Sequence, residues 1–97
     1  MHGDQKQKTR RAHTELARER RLRGLSRKQV ATIVGRSSQL IGAYERGDIL
    51  PPLRLAMMLE ILYRCQIAGL YLPLYRQLHE QVRAAEATVR ARKRGPV

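Results

Sequence analysis

Apolar residues recur along this chain at three- and four-residue steps, and Gly, Ser and Pro interrupt them at short intervals. No stretch shows the period-two alternation of a strand, so the pattern predicts an all-α protein. From Ala12 the pattern is helical, with Leu16 and Leu22 as its apolar residues, and it ends at Gly24, which suits a helix C-terminus. Ser26 follows as an N-cap with Gln29 three residues on, the spacing of a capping box. Val30, Ala31, Ile33 and Val34 then mark Arg27–Val34 as a short helix stopped by Gly35. Ser37 caps a further helix running to about Arg46, with Ile41 and Tyr44 inward, and Gly47 closes it. Asp48–Pro52 reads as a loop whose prolines open the next helix, since proline fits a first turn. Leu53, Ala56, Met57, Leu59, Leu62 and Tyr63 give that helix a wide apolar face. Gln66–Leu72 carries no decisive pattern. Pro73 starts a last helix, along which Leu74, Leu78, Val82, Ala85 and Val89 form a seam. The aperiodic Met1–Arg11 predicts a flexible basic arm, and Arg90–Val97 a frayed basic end.

Leu25–Gly47 is the informative segment: two short helices flank a tight turn at Gly35. Ala31, four residues earlier, is small enough to let the second helix cross closely. With Ile41 and Tyr44 pinning that helix from behind, its other face is free to enter a major groove, which is about as wide as a helix. The chain therefore divides into an arm (1–11), a helix-turn-helix domain (12–65), and a C-terminal helix with a basic tail (66–97).

Charge sharpens this picture. The 97 residues include 20 Lys and Arg against 8 Asp and Glu, a formal charge of +12. That excess predicts attraction to a polyanion, whether nucleic acid or an anionic membrane surface. The basic residues are spread over the whole chain, so a basic tail on a neutral domain does not describe it. A single cysteine, Cys65, excludes an intrachain disulfide and suits a reducing compartment; its apolar setting reads as a core thiol. No secretory signal or membrane-length apolar run is read in the sequence, and a cytoplasmic protein is expected.

The segment resembles the phage Cro/repressor type of helix-turn-helix, the XRE-like family of regulators. The resemblance covers roughly residues 12–63 and rests on Arg20, G-L-S at 24–26, V-A at 30–31, V-G at 34–35, Ser37, Ile41, Y-E-R-G at 44–47 and the P-P-L that follows. It implies a five-helix repressor-like bundle, to which the Pro73 helix is an addition. Ser38–Arg46 is then the recognition helix, and Arg20 pairs with Glu45 to orient it; without the resemblance, these are two unrelated surface charges. The carry-over makes Ser38 and Gln39 base readers, with Ala43 as an apolar contact and Gly42 beside it on the outward face. Gln can take the N6 and N7 of adenine together. Arg27, Arg36, Ser37, Arg46 and Arg54 are the candidates for phosphates.

Several residues depart from the family's pattern. Arg27 stands where Gln is usual, Glu19 where an apolar residue is usual, and Leu40 where a small polar residue is usual. Gly42 costs a helix up to about 1 kcal/mol relative to alanine; close backbone approach to the groove and tolerated drift are both open explanations. Lys6, Lys8, Arg10 and Arg11 either follow the DNA or merely solubilise the chain.

The resemblance implies double-stranded DNA as partner and a bacterial or phage-encoded, nucleoid-associated regulator, most often a repressor. The seam of Leu74, Leu78, Val82, Ala85 and Val89 either packs a second copy, giving a homodimer on a pseudo-palindrome, or seals the monomer core with its front half. RNA polymerase is a further possible partner. An antitoxin that also covers a toxin is the alternative reading, and a non-specific nucleic-acid binder a third. His79-Glu80 begins like the zinc motif H-E-x-x-H, but Arg83 stands where the second ligand belongs. No metal site, cofactor, catalytic constellation or enzyme activity is expected.

Overall fold

The computed structural model describes residues 11–94. Among these residues six helices follow one another: α1 (Leu16–Leu22), α2 (Arg27–Val34), α3 (Ser38–Arg46), α4 (Leu53–Tyr63), α5 (Ile67–Leu70) and α6 (Leu72–Arg94). There is no strand among the described residues. Lys6, Lys8 and Arg10 of the expected arm, and residues 95–97 of the expected frayed end, lie outside them.

Local chemistry sets the boundaries of α2 and α3. The Ser26 hydroxyl accepts the Gln29 N–H (3.0 Å) while the Gln29 side chain accepts the Ser26 N–H (2.8 Å), closing the capping box. Gly35 ends α2 at φ 72°, a left-handed conformation that side chains resist. The Ser37 hydroxyl then accepts the Leu40 N–H at the start of α3 (3.2 Å). Gly47 closes α3 for a second reason besides its φ of 77°. A Cβ there would stand 1.9 Å from the carbonyl oxygen of Ala12, whose N–H donates to the Gly47 carbonyl at 3.0 Å.

That contact explains why α1 starts later than its pattern suggests. Residues 12–15 are helical by composition, but their backbone is committed elsewhere: Ala12 to Gly47, and the Glu15 N–H to the Leu70 carbonyl (2.9 Å). The Thr14 hydroxyl accepts the Leu16 N–H (3.1 Å), and the helix runs from there. Leu16 is 2% exposed and Leu22 66%. Six residues apart, they point to different sides of a helix with 3.6 residues per turn.

The core gathers Leu16, Val30, Ala31, Val34, Ile41, Tyr44, Leu55, Leu59, Tyr63, Leu70 and Tyr71. Helix α4 contributes Leu55, Leu59 and Tyr63 at steps of four, whereas Leu53 and Met57, expected inside, are exposed together with Ile61. The helix carries two apolar stripes, and this core uses only one. Cys65 is half-buried against the core, its thiol donating to the Tyr63 carbonyl (3.2 Å).

The short α5 occupies the stretch without decisive pattern and delivers Leu70 and Tyr71 to the same core. Both residues lie C-terminal to residue 65, where the helix-turn-helix domain was expected to end, and they pack with it. Beyond them α6 runs unbroken for 23 residues, about 35 Å at 1.5 Å per residue. The fraying expected from Arg90 does not occur before Arg94. Arg83 and Arg90 both reach Glu86 (2.9 and 2.8 Å), at i,i+3 and i,i+4 spacing that supports a helix.

Glu19, which stands where an apolar residue is usual, is engaged by a polar contact. Its carboxylate receives Arg23 at 2.7 Å, and Arg23 also donates to the Tyr63 carbonyl and lies 5.4 Å from the Tyr63 ring centre. A polar bridge to the C-terminal end of α4, where a cation is favoured, replaces the usual apolar contact.

Candidate nucleic-acid interface

Ala31 of α2 is buried in the core, and Ile41 and Tyr44 hold α3 to that core from behind. Ser38 and Gln39 are exposed in the first turn of α3. Neither side chain is hydrogen-bonded among the described residues. Ala43 is half-buried one turn on.

A nearly buried ion pair fixes the far end of α3. Arg20 Nε donates to Glu45 Oε2 (2.6 Å) and Nη2 to Oε1 (3.2 Å), the fork geometry of a bidentate pair. The Glu45 side chain is 2% exposed and that of Arg20 11%. The Glu45 carboxylate, through its hydrogen bond to the guanidinium, raises the Arg20 pKa above its ordinary value. Arg20 Nη1 also donates to the Leu25 carbonyl (2.9 Å), tying α1 to the loop before α2. Sequence reasoning missed a second cation here: Arg27 Nε donates to Glu45 Oε1 (3.0 Å). The unusual Arg at position 27 was the only available signal, because the pairing joins residues eighteen apart across two helices.

The expected phosphate residues fall into two groups. Arg36, Ser37 and Arg54 are exposed, and the Ser37 hydroxyl is occupied as a helix cap. Arg27 and Arg46 are already engaged: Arg46 Nε donates to Asp48 (2.8 Å), a carboxylate that Arg11 also holds at 2.8 Å. The Arg46 hydrogen bond, with Arg11 beside it, keeps the Asp48 carboxyl below its usual pKa.

Gly42, expected on the outward face of α3, is instead buried beneath the side chains of Arg27 and Arg46. Around it opens a recess of about 620 Å³, lined by Arg20, Ser26, Arg27 and Lys28 on one side and Ser38, Gln39, Gly42 and Arg46 on the other. Four of those eight residues are cationic and none is anionic. Lys28 and Ser26 were not among the expected site residues.

The seam on α6 is divided. Leu74 packs against the core, whereas Leu78, Val82, Ala85 and Val89 are exposed.

The helix-turn-helix family model matches residues 16–70, more than half of the chain. The chain belongs to the helix-turn-helix family. It is an XRE-like, DNA-binding regulator by that membership. No curated protein matches it. The matched span runs through α5, in keeping with a helix-turn-helix core that includes Leu70. No helix among the described residues is long and apolar enough to cross a membrane, and none of their His, Cys, Asp and Glu side chains cluster in threes for a metal.

Proposed function

We infer that this helix-turn-helix protein is a transcriptional repressor that binds a pseudo-palindromic operator as a homodimer. The observation that carries this reading is the presentation of α3. Ser38 and Gln39 face outward, free of partners among the described residues, on a helix locked from behind by Ile41 and Tyr44 and at its end by Arg20–Glu45. In this reading Ser38 and Gln39 contact base edges, with Ala43 as an apolar neighbour. Arg27, Arg36, Ser37, Arg46 and Arg54 approach phosphates, which position the helix without specifying sequence.

The homodimer rests on α6. Its exposed Leu78, Val82, Ala85 and Val89 lie on a helix that extends beyond the core, a surface a second copy would cover. Two copies would read half-sites about 34 Å apart, one turn of DNA. Repression follows from occupying a promoter and excluding polymerase. The same seam supports a second reading, an antitoxin that covers a toxin, and it predicts that the partner gene adjoins this one.

Selection of bound duplexes from random DNA tests the inference. The expected outcome is a two-fold symmetric motif preferred over bulk DNA by about 10³ or more at physiological salt. Binding to the selected duplex should weaken with salt with a log–log slope of roughly −5 if six phosphates are neutralised. A pool that stays random, bound with equal strength throughout, leaves only a non-specific binder. An asymmetric motif removes the dimer.

A further inference from the structure

Gly42 sits in the middle of a nine-residue helix. Its backbone is ordinary helix, so nothing in the main chain calls for glycine. Its neighbours do. A Cβ at this position would stand 3.1 Å from Arg46 Nη1, 3.7 Å from Arg27 Nη1 and 3.8 Å from Arg27 Cζ. Two guanidinium groups, one from α2 and one from α3, converge on the space a side chain would fill.

Like charges do not gather in this way without compensation. Arg27 leans on Glu45 and Arg46 on Asp48, but each carboxylate also serves another arginine, Arg20 in one case and Arg11 in the other. Two carboxylates therefore answer four guanidinium groups, and Lys28 lines the same recess. Both converging arginines use Nε for their carboxylate. Among the described residues, the Nη groups of both are left without an acceptor. The carboxylates thus position the two forks and leave their outer donors for an anion.

We propose that Arg27 and Arg46, brought together over Gly42, clamp a single phosphate of the DNA backbone between their Nη groups, and that Gly42 is the gap that makes the clamp possible. Arginine forks suit phosphate oxygens because two N–H groups point at them in parallel. The proposal rests on the reading of α3 as the DNA-facing helix. It changes the role of Gly42, which governs affinity for the backbone and touches no base.

The test pairs stability with binding, because the clamp predicts opposite signs for them. Gly42→Ala and Gly42→Leu are made in the full chain. Each is melted, and each is titrated against two duplexes of equal length, one selected by the wild-type protein and one of random sequence. Alanine favours a helix over glycine, and the atom it meets is the tip of a flexible side chain, so Gly42→Ala should melt at or above the wild-type temperature. Gly42→Leu should bind both duplexes about tenfold more weakly, the size of a lost charge-assisted contact, and Gly42→Ala roughly threefold more weakly on the same reasoning. The salt slope should drop by about one, as for one phosphate released. Replacing phosphates singly by neutral methylphosphonates should reveal one position that weakens the wild type and leaves Gly42→Leu unchanged.

Wild-type affinity and slope in both variants would overturn the clamp. So would a loss confined to the selected duplex, since that pattern belongs to a base contact. If Gly42→Leu does not fold, Gly42→Ala decides alone by its slope and its melting temperature. Failure of the wild type to bind either duplex would overturn the DNA-facing reading itself, a result distinct from any difference between variants.

Discussion

Helices α3 and α6 each present a face that the monomer does not bury, and the fold holds the two in opposite ways. The nine residues of α3 are capped at both ends, anchored by Ile41 and Tyr44, and clasped by a nearly buried carboxylate–guanidinium pair. Its free face is polar and cationic. The 23 residues of α6 touch the core only near their start, through Leu74, and carry exposed apolar residues well beyond it. A helix fixed so firmly can place side chains against a rigid partner such as duplex DNA without losing much further freedom. A helix with an open apolar seam and no cover of its own gains most from another helix laid along it.

The largest expected effect tests how α3 is held. Arg20→Met leaves Glu45 buried with only the half-exposed Arg27 to answer its charge. Breaking a buried pair from one side typically loses 3–5 kcal/mol, and urea unfolding should show a loss of about 3 kcal/mol or more. Arg27→Met removes the exposed partner of the same carboxylate and should lose less than about 1 kcal/mol. Equal losses in the two variants would mean that the pair does not hold α3 as its burial suggests.

How far these features could be read in advance depended on whether they were local. The caps at Ser26 and Ser37 and the stops at Gly35 and Gly47 depend on residues a few positions apart, and α2 and α3 have the limits their sequence predicts. The start of α1 depends on Ala12 meeting Gly47 and Glu15 meeting Leu70, pairings between distant segments that no periodicity displays. The apolar residues of α4 were visible, but which stripe faced the core was not, because both stripes are apolar. At the interface, Ser38 and Gln39 were singled out by the family resemblance, which fixes their place in the first turn of α3, and not by helix phase. The burial of Gly42 under two arginines depends on the side-chain conformations of Arg27 and Arg46, on different helices, and there the sequence is silent.

The next effect tests α6. Val82 and Val89 are 63% and 57% exposed. Val82→Asp with Val89→Asp should change the stability of an isolated monomer by no more than about 0.5 kcal/mol, as surface substitutions do. It should nevertheless convert a dimer to a monomer in sedimentation and weaken binding to a symmetric operator on the order of 10²-fold, the advantage that linking two modules confers. An unchanged sedimentation coefficient and unchanged affinity would return α6 to the role of a solvated extension.

A smaller effect lies in the core. The Tyr71 hydroxyl is buried without a hydrogen-bond partner among the described residues. Tyr71→Phe removes that unpaired group and should raise stability by about 1 kcal/mol. Burial pushes the Tyr71 and Tyr63 hydroxyls up to about 12. A group whose pKa is raised by folding stabilises fully below its unfolded value, here 10.0, and loses that contribution as pH climbs through about 12. The alkaline limb of stability against pH should therefore be shallower in Tyr71→Phe, and an identical limb would show that Tyr71 ionises as freely in the fold as outside it.

The smallest effect concerns the end of α6, where no core supports the helix. Glu86 sits between Arg83 and Arg90, and its carboxyl is held below the ordinary 4.5 first by the hydrogen bond from Arg90 and then by that from Arg83. A carboxylate with a depressed pKa stabilises above its unfolded value and loses that contribution as pH falls through the folded one. Helical Cα chemical shifts after Val82 should therefore decline as pH drops below 4.5, and Glu86→Gln should produce the same decline at neutral pH. Because the pair is exposed and belongs to one helix, α2 and α3 should not follow either change. A decline that spread to them would mean that α6 is coupled to the bundle far beyond Leu74, and the contrast between a clasped reader and an open seam would have to be abandoned.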